Sequence, residues 1–170
     1  MSLHFKFDPD KAVEVILYIA EQCPDKYHLL KILYFADKDH LAKYGRFICG
    51  DAYIAMGLGP VPSGTYDLVK QGGLVSYLRT AEHRSVPFTV SPRTVIPLRQ
   101  PDLEWLSKSD IECLDIAIAK YKDLPVTKLK YISHQDKVYK SSPLNGIMPL
   151  EEIAINLPEG EILLEYLRDC

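Results

Sequence analysis

Two polar residues interrupt an otherwise apolar helix and are the first candidates for chemistry. The stretch from Lys26 to Tyr44 predicts one long helix, in which Asp37 and His40 lie three residues apart, so that their side chains can meet. One interpretation is an Asp-His pair in which the carboxylate orients the imidazole for base catalysis. The other is structural: both side chains hydrogen-bond the backbone of the Gly/Pro-rich loop that follows and hold it against the helix. We favour the structural interpretation, because buried polar groups need partners and are mostly not catalytic.

The remaining nucleophiles and metal ligands are scattered along the chain. The four cysteines are far apart, without a C-x-x-C pair, as is typical of free thiols: Cys23, Cys49, Cys113 and Cys170. The chain has no G-x-S-x-G, H-E-x-x-H or P-loop motif, and the stretch 57–60 is too short and too proline-rich for a dinucleotide loop. We therefore expect no cofactor, no metal and no catalytic residue. An enzyme using Asp37 and His40, with His134 or Cys49, is the least favoured hypothesis.

Composition indicates a soluble globular protein. The chain has 170 residues, 47% of them hydrophobic and 25% charged, with a net charge of −3 and basic residues mixed among acidic ones. This balance argues against nucleic acid as a partner, and no apolar run is long enough to span a membrane. The first residues lack the apolar core of a signal peptide, so we expect a cytoplasmic location. We expect a single domain over residues 1–170.

Local signals predict an α+β fold that is mostly helical and is built around the buried central helix. Asp8 and Asp25 are candidate N-caps of the first two helices, and Gly45 is a natural left-handed C-cap of the second. On the central helix the apolar positions cover more than half of the circumference. This wheel includes Tyr44 in the apolar face and leaves Lys31 on the remaining arc.

The rest of the chain predicts short elements. A strand over 52–56 and a rigid Gly/Pro turn precede a third helix that begins at Pro62 or Ser63. A β-hairpin or an extended arm is predicted for 86–98, with 91–93 between its two halves, and its prolines favour the edge of a sheet. Ser109 to Glu112 fits a capping box that opens a helix to about Tyr121, and Thr127 is a candidate cap for the next helix. Further helical segments are predicted at 138–139, 149–153 and 161–167.

The ordered motifs of the central stretch resemble one protein family. They are Leu30-Lys31-Ile32-Leu33-Tyr34-Phe35-Ala36-Asp37, His40-Leu41, Gly45-Arg46, Gly50-Asp51, Tyr53, Ala55-Met56, Gly59-Pro60-Val61-Pro62-Ser63 and Tyr66-Asp67. Ser133-His134 and the region around Tyr139 are similar to its C-terminal helices. Together these resemble the Panacea domain, the SocA-like antitoxin family, which includes phage-associated GepA-type proteins. The resemblance implies a set of signature positions with a structural or partner-binding role: Asp37, His40, Gly50, Asp51, Tyr53, Gly59, Pro60, Pro62, Tyr66 and His134.

The resemblance implies a non-enzymatic role. Members of this family are similar to type II antitoxins, which neutralise a toxin encoded beside them by direct binding. The related SocA is a proteolytic adaptor that delivers its toxin to a bacterial protease, and the family is frequent in prophages. The implied partners are therefore a cognate toxin protein and, for the adaptor type, a protease.

Tyrosines are the most plausible contact residues for such a partner. The chain has 11 of them, and tyrosine combines a large contact area with a polar tip. At helical spacing most of them fill the core. We expect Tyr53, Tyr66 and Tyr139 to be exposed.

A winged-helix DNA-binding regulator is the alternative. The predicted order of helix, helix, strand, helix and hairpin fits it, and basic residues surround the hairpin: Arg79, His83, Arg84, Arg93 and Arg99. The third helix, however, carries Lys70 as its one basic residue, whereas recognition helices carry several contacting residues. DNA binding therefore remains the second hypothesis.

Overall fold

The computed structural model describes residues 2–72 and 86–170 and confirms an α+β fold that is mostly helical. In these residues eight α-helices and one short 3-10 helix, Leu103–Trp105, surround four short strands. The helices are α1 Pro9–Ala20, α2 Lys26–Tyr44, α3 Ser63–Lys70, α4 Lys108–Tyr121, α5 Val126–His134, α6 Lys137–Ser141, α7 Leu150–Ile155 and α8 Gly160–Asp169. The strands are β1 Tyr53–Met56, β2 Gly59–Pro62, β3 Phe88–Val90 and β4 Val95–Pro97.

The ends of the first two helices follow from local chemistry, as predicted. The Asp8 carboxylate accepts from the backbone N–H of Lys11, and the Asp25 carboxylate accepts from that of His28. These bonds satisfy N–H groups that a helix start leaves without a partner. Gly45 ends α2 with φ of 76° and donates its N–H to the Leu41 carbonyl.

Two of the predicted caps are wrong. The capping box of α4 is formed by Ser107 and Asp110, two residues before the predicted pair. The N-cap of α5 is Pro125 instead of Thr127, and it makes no side-chain hydrogen bond there.

The strands form two antiparallel hairpins. In the first, Tyr53 pairs with Pro62 and Met56 with Gly59, so residues 57 and 58 form the turn, and Ile147 lies opposite Ile54 on the outer side of β1. In the second, Phe88 pairs with Pro97 and Val90 with Val95, so the stretch 86–98 is the hairpin and not the extended arm. The second hairpin is joined to the start of α2, because the N–H of Lys26 donates to the Arg93 carbonyl.

Helix α2 connects two hydrophobic cores. The first core lies between α1, the N-terminal half of α2, α3 and α4, with Phe88 and Val95 from the second hairpin. The second core lies between the C-terminal half of α2, β1 and the helices α6 to α8. Because one helix contributes to both cores, the described elements form a single domain around it.

Two positions of α2 differ from the helical wheel. Lys31 is 1% exposed although it was expected on the polar arc, because β2 lies over that side of the helix. Tyr44 is 46% exposed although it was expected in the apolar face, because it lies in the last turn, where its hydroxyl donates to Glu112 at the surface.

Candidate functional site

The candidate site consists of residues 46–62, which comprise the loop after α2 and the first hairpin. This segment packs against α2. Asp37 lies under this loop and is fully buried. Its carboxylate accepts from the Tyr53 hydroxyl at 2.5 Å and from the backbone N–H of Ile48 at 2.7 Å. Burial raises the pKa of Asp37 from 3.8 to about 7, while these two hydrogen bonds act in the opposite direction.

His40 holds the start of the same loop. Its Nδ1 lies 2.8 Å from the Arg46 carbonyl oxygen, and its Nε2 lies 2.8 Å from the hydroxyl of Ser109 on α4. Burial lowers the pKa of His40, which favours the neutral imidazole: Nδ1–H donates to the carbonyl and Nε2 accepts from the hydroxyl. Asp37 and His40 thus bond different partners, and both tie the loop backbone to α2, as the structural interpretation predicts.

Gly50 and Asp51 connect the loop to its neighbours. Gly50 has φ of 72°, and a Cβ at this position would lie 2.2 Å from the carbonyl oxygen of Lys6 in the N-terminal arm. Asp51 is buried and accepts from the N–H groups of Gly64 and Thr65, both at 2.8 Å, and from the Thr65 hydroxyl at 2.7 Å. Pro62, the N-cap of α3, makes no side-chain hydrogen bond. The Asp51 carboxylate, which lies before β1 in the sequence, therefore accepts from the N–H groups at the start of α3 in place of an N-cap side chain.

The turn of the hairpin is held by side chains that donate to its carbonyl groups. They are Tyr139 to Met56 at 2.6 Å, Tyr27 to Leu58 at 2.8 Å, Lys31 to Pro60 at 2.8 Å and, in the tautomer protonated at Nε2, His134 to Gly57 at 3.1 Å. The other ring nitrogen of His134, Nδ1, lies 2.7 Å from the Lys130 carbonyl of its own helix. We call these four donors and the segment 56–60 the carbonyl clasp. The donors come from α2, α5 and α6, so three helices fix the turn from both sides. The Leu58 side chain remains outside and is 56% exposed.

Lys31 is the most unusual member of the carbonyl clasp. Desolvation lowers the pKa of its amine from 10.5 to about 7. Its ammonium group also lies 4.8 Å from the centre of the Tyr27 ring, which is a cation–π contact when the amine is charged. A Cβ on Gly59, which has φ of 116°, would lie 2.9 Å from Lys31 Cε and 2.8 Å from Ser133 Oγ. Glycine at position 59 therefore leaves space for the buried lysine.

The signature positions thus gather around one loop, with one exception. Asp37, His40, Gly50, Asp51 and Tyr53 secure residues 46–53, while Gly59, Pro60, Pro62 and His134 belong to the hairpin and its support. Tyr66 lies apart on α3, half-buried against the first core, with the Lys70 ammonium group 4.6 Å from its ring centre.

The expected exposure of the tyrosines is only partly correct. Tyr53 is 1% exposed, since β1 turns it towards Asp37 and the ring of Tyr34, 4.8 Å away between centres. Tyr66 and Tyr139 are half-buried. The role of Tyr27 was missed, although its spacing of four residues from Lys31 was a usable signal.

The predicted basic wing is only partly within the described residues. Arg93 is exposed at the turn of the second hairpin, whereas Arg99 donates to Glu14 at 2.7 and 2.9 Å. Arg79, His83 and Arg84 lie outside the described residues. Lys70 on α3 forms an ion pair with Asp67 at 3.2 Å. Arg99 and Lys70 are thus each paired with an acidic neighbour, which argues against a basic face formed by these residues.

Comparison with known proteins identifies the class of domain. A family model, the SocA-like antitoxin of the Panacea-domain type, matches residues 29–139, which include α2 from Leu29 onward, the loop, the first hairpin and the clasp donors Lys31, His134 and Tyr139. Because this match spans more than half of the chain, the chain belongs to that family. No curated protein and no solved structure matches it significantly. At the level of the family the role is antitoxin-like, with a toxin as the general kind of partner.

Within residues 2–72 and 86–170, none of the helices combines the length and the apolar character that crossing a bilayer requires.

Proposed function

We propose that this chain is a non-enzymatic antitoxin that neutralises a toxin protein by binding it directly. The observation that carries this proposal is the family match over 29–139, because it includes the central helix and the loop that the helix holds. The resemblance extends the proposal to a toxin encoded by the adjacent gene, to a cytoplasmic setting and to a prophage origin.

The use of the buried polar groups supports a non-enzymatic role. Asp37, His40 and Asp51 each bond the backbone of 46–65, and Lys31 bonds the Pro60 carbonyl. Groups in such bonds stabilise the loop and are not free to move protons to a substrate. Cys49 is also unsuited to attack a substrate, because burial raises its pKa well above its usual value and favours the thiol over the thiolate.

Neutralisation can follow two routes that give different results in cells. If the antitoxin occludes the toxin, the complex accumulates and the half-life of the toxin stays the same or increases. If it is a proteolytic adaptor like SocA, the toxin disappears faster when the antitoxin is present, and deletion of the protease restores the toxin. We favour occlusion as the simpler route, because it needs only one binding surface.

Co-expression with the adjacent gene tests the proposal. We expect the neighbouring product to arrest growth when expressed alone, and this chain to restore growth and to co-purify with it. Growth arrest that this chain does not relieve, or rescue without a complex, would contradict direct neutralisation. Toxin levels followed after translation is blocked, with and without this chain, then separate occlusion from delivery to a protease.

A further inference from the structure

The C-terminal helix exposes apolar side chains on the side away from the core. Leu167 of α8 is buried and Leu163 packs against the second core. On the other side Ile162 is 67% exposed and Tyr166 is 54% exposed, and their spacing of four residues places them next to each other.

A third residue extends this apolar surface. The ring of Tyr166 lies against Gly45, where a Cβ would be 2.6 Å from Tyr166 Cε1. Tyr44, which is 46% exposed, precedes Gly45 directly. We call Tyr44, Ile162 and Tyr166 the C-terminal patch. Three exposed residues of this size on α8 and at the end of α2, two of them tyrosines, have the composition of an interface centre.

Acidic residues surround the C-terminal patch. Glu159, Glu165 and Asp169 are exposed and lie three or four residues from Ile162 or Tyr166, and therefore on the same side of α8. The Tyr44 hydroxyl donates to Glu112 at 2.5 Å. Residues 150–170 contain six acidic side chains and one basic side chain, whereas the whole chain has a net charge of only −3. The segment that contains α7 and α8 is therefore strongly acidic, and the rest of the chain is net positive.

Two of the three patch residues, Ile162 and Tyr166, lie outside the segment that the family model matches, whereas Tyr44 lies inside it. The family model ends at residue 139, so α7 and α8 lie beyond the match. A surface that recognises a partner particular to this chain is expected to include residues outside the matched segment, as Ile162 and Tyr166 are.

We propose that the C-terminal patch is the docking surface for a partner protein that presents an apolar side chain within a basic face. The three apolar residues supply the desolvated centre, and the acidic rim attracts and orients the basic face. This inference rests on the proposed function, since the partner is the toxin proposed there. It adds which surface is used and what charge the toxin surface carries.

The experiment measures the affinity of the full chain for the purified adjacent-gene product. The test variants are Ile162→Gln, Tyr166→Ala and Glu165→Lys. Each alters an exposed residue of α8, so we expect circular dichroism and melting temperature close to those of the wild type. The matched controls are Ile116→Gln, an exposed isoleucine on α4, and Glu21→Lys, an exposed acid that follows α1.

The expected results differ between the two groups of variants. Ile162→Gln and Tyr166→Ala each weaken binding about tenfold or more, as truncation of an interface centre does. Glu165→Lys slows association, and wild-type affinity falls as salt rises, because rim charges act mainly on encounter. The two control variants bind like the wild type.

Other results would overturn the inference in distinguishable ways. Wild-type binding that all three test variants retain would place the docking surface elsewhere and leave the proposed function intact. A wild type that does not bind the adjacent product refutes the proposed function together with this inference. If the chain alone sediments as a dimer that Tyr166→Ala dissociates, the patch is an interface between two copies instead.

Discussion

The substitution Asp37→Asn tests whether the loop before the hairpin is held by a carboxyl group that folding keeps protonated. Asparagine has nearly the same shape as aspartate. Its carbonyl can accept from the N–H of Ile48, and its amide can donate to the Tyr53 hydroxyl. The variant therefore keeps the hydrogen bonds to Ile48 and Tyr53 but has no carboxyl group that can titrate.

The sign and size of the effect follow from the pKa of Asp37, which folding raises from 3.8 to about 7. Between these values the folded protein holds a proton that the unfolded chain has released, so folding takes up a proton and becomes less favourable as pH rises. A difference of about three pKa units corresponds to about 4 kcal/mol, all of it present as a penalty above about pH 7. We therefore expect Asp37→Asn to gain about 3 kcal/mol relative to the wild type between about pH 4.5 and about pH 8.

The assay is urea denaturation followed by far-UV circular dichroism at several pH values. The informative quantity is the free energy of unfolding of the variant minus that of the wild type, because the titration of all other groups then cancels. Asp67→Asn, at an exposed carboxylate on α3 that does not contact the loop, is the matched control. Parallel profiles for Asp37→Asn and the wild type would refute the assignment of a protonated carboxyl under the loop.

Three further substitutions probe the hairpin and its connections. Lys31→Met should abolish a rise of about 3 kcal/mol in the stability of the wild type between about pH 7 and about pH 9.5. The rise occurs because the unfolded chain keeps a proton in this range that the buried amine has lost. A free energy of unfolding that depends on pH in the same way for variant and wild type, measured by urea denaturation, would contradict this. Gly50→Ala places a Cβ against the Lys6 carbonyl at a position with positive φ, and should lower the free energy of unfolding by about 2 kcal/mol or more. A melting curve like that of the wild type would instead show that the segment around Lys6 moves away without cost. Asp51→Ala leaves N–H groups at the start of α3 without a partner and should cost about 1–3 kcal/mol, with faster hydrogen exchange at Thr65 as its local sign.

The sequence predicts those features that depend on neighbours along the chain. The caps at Asp8, Asp25 and Gly45 are correct because each satisfies helix-end groups within a few residues. The turn of the second hairpin and the end of α4 at Tyr121 also depend on residues close in sequence, and both are correct.

The errors occur where distant parts of the chain decide between local alternatives. Two overlapping stretches, one starting at Ser107 and one at Ser109, both fit a capping box, and the first is used because Asp110 is also held by Lys11 at 2.7 Å and by Arg46 at 3.1 Å. The burial of Lys31 could not be read from α2, since it depends on a hairpin more than 25 residues away that supplies the Pro60 carbonyl. The signature positions include His134 of the carbonyl clasp, and the quoted motifs contain Lys31 and Tyr139, but Tyr27 lies outside them and its part in holding the turn was not predicted.

The carbonyl clasp has a consequence for how the turn can evolve or be engineered. Its donors reach only main-chain oxygens, which every amino acid possesses, so the hold on the turn does not depend on the identity of residues 57 and 58. Gly57 has no positive φ, and a side chain there would meet nothing within 4 Å, while Leu58 already points into solvent. The side chains at positions 57 and 58 can thus be varied without changing the hydrogen bonds that hold the turn.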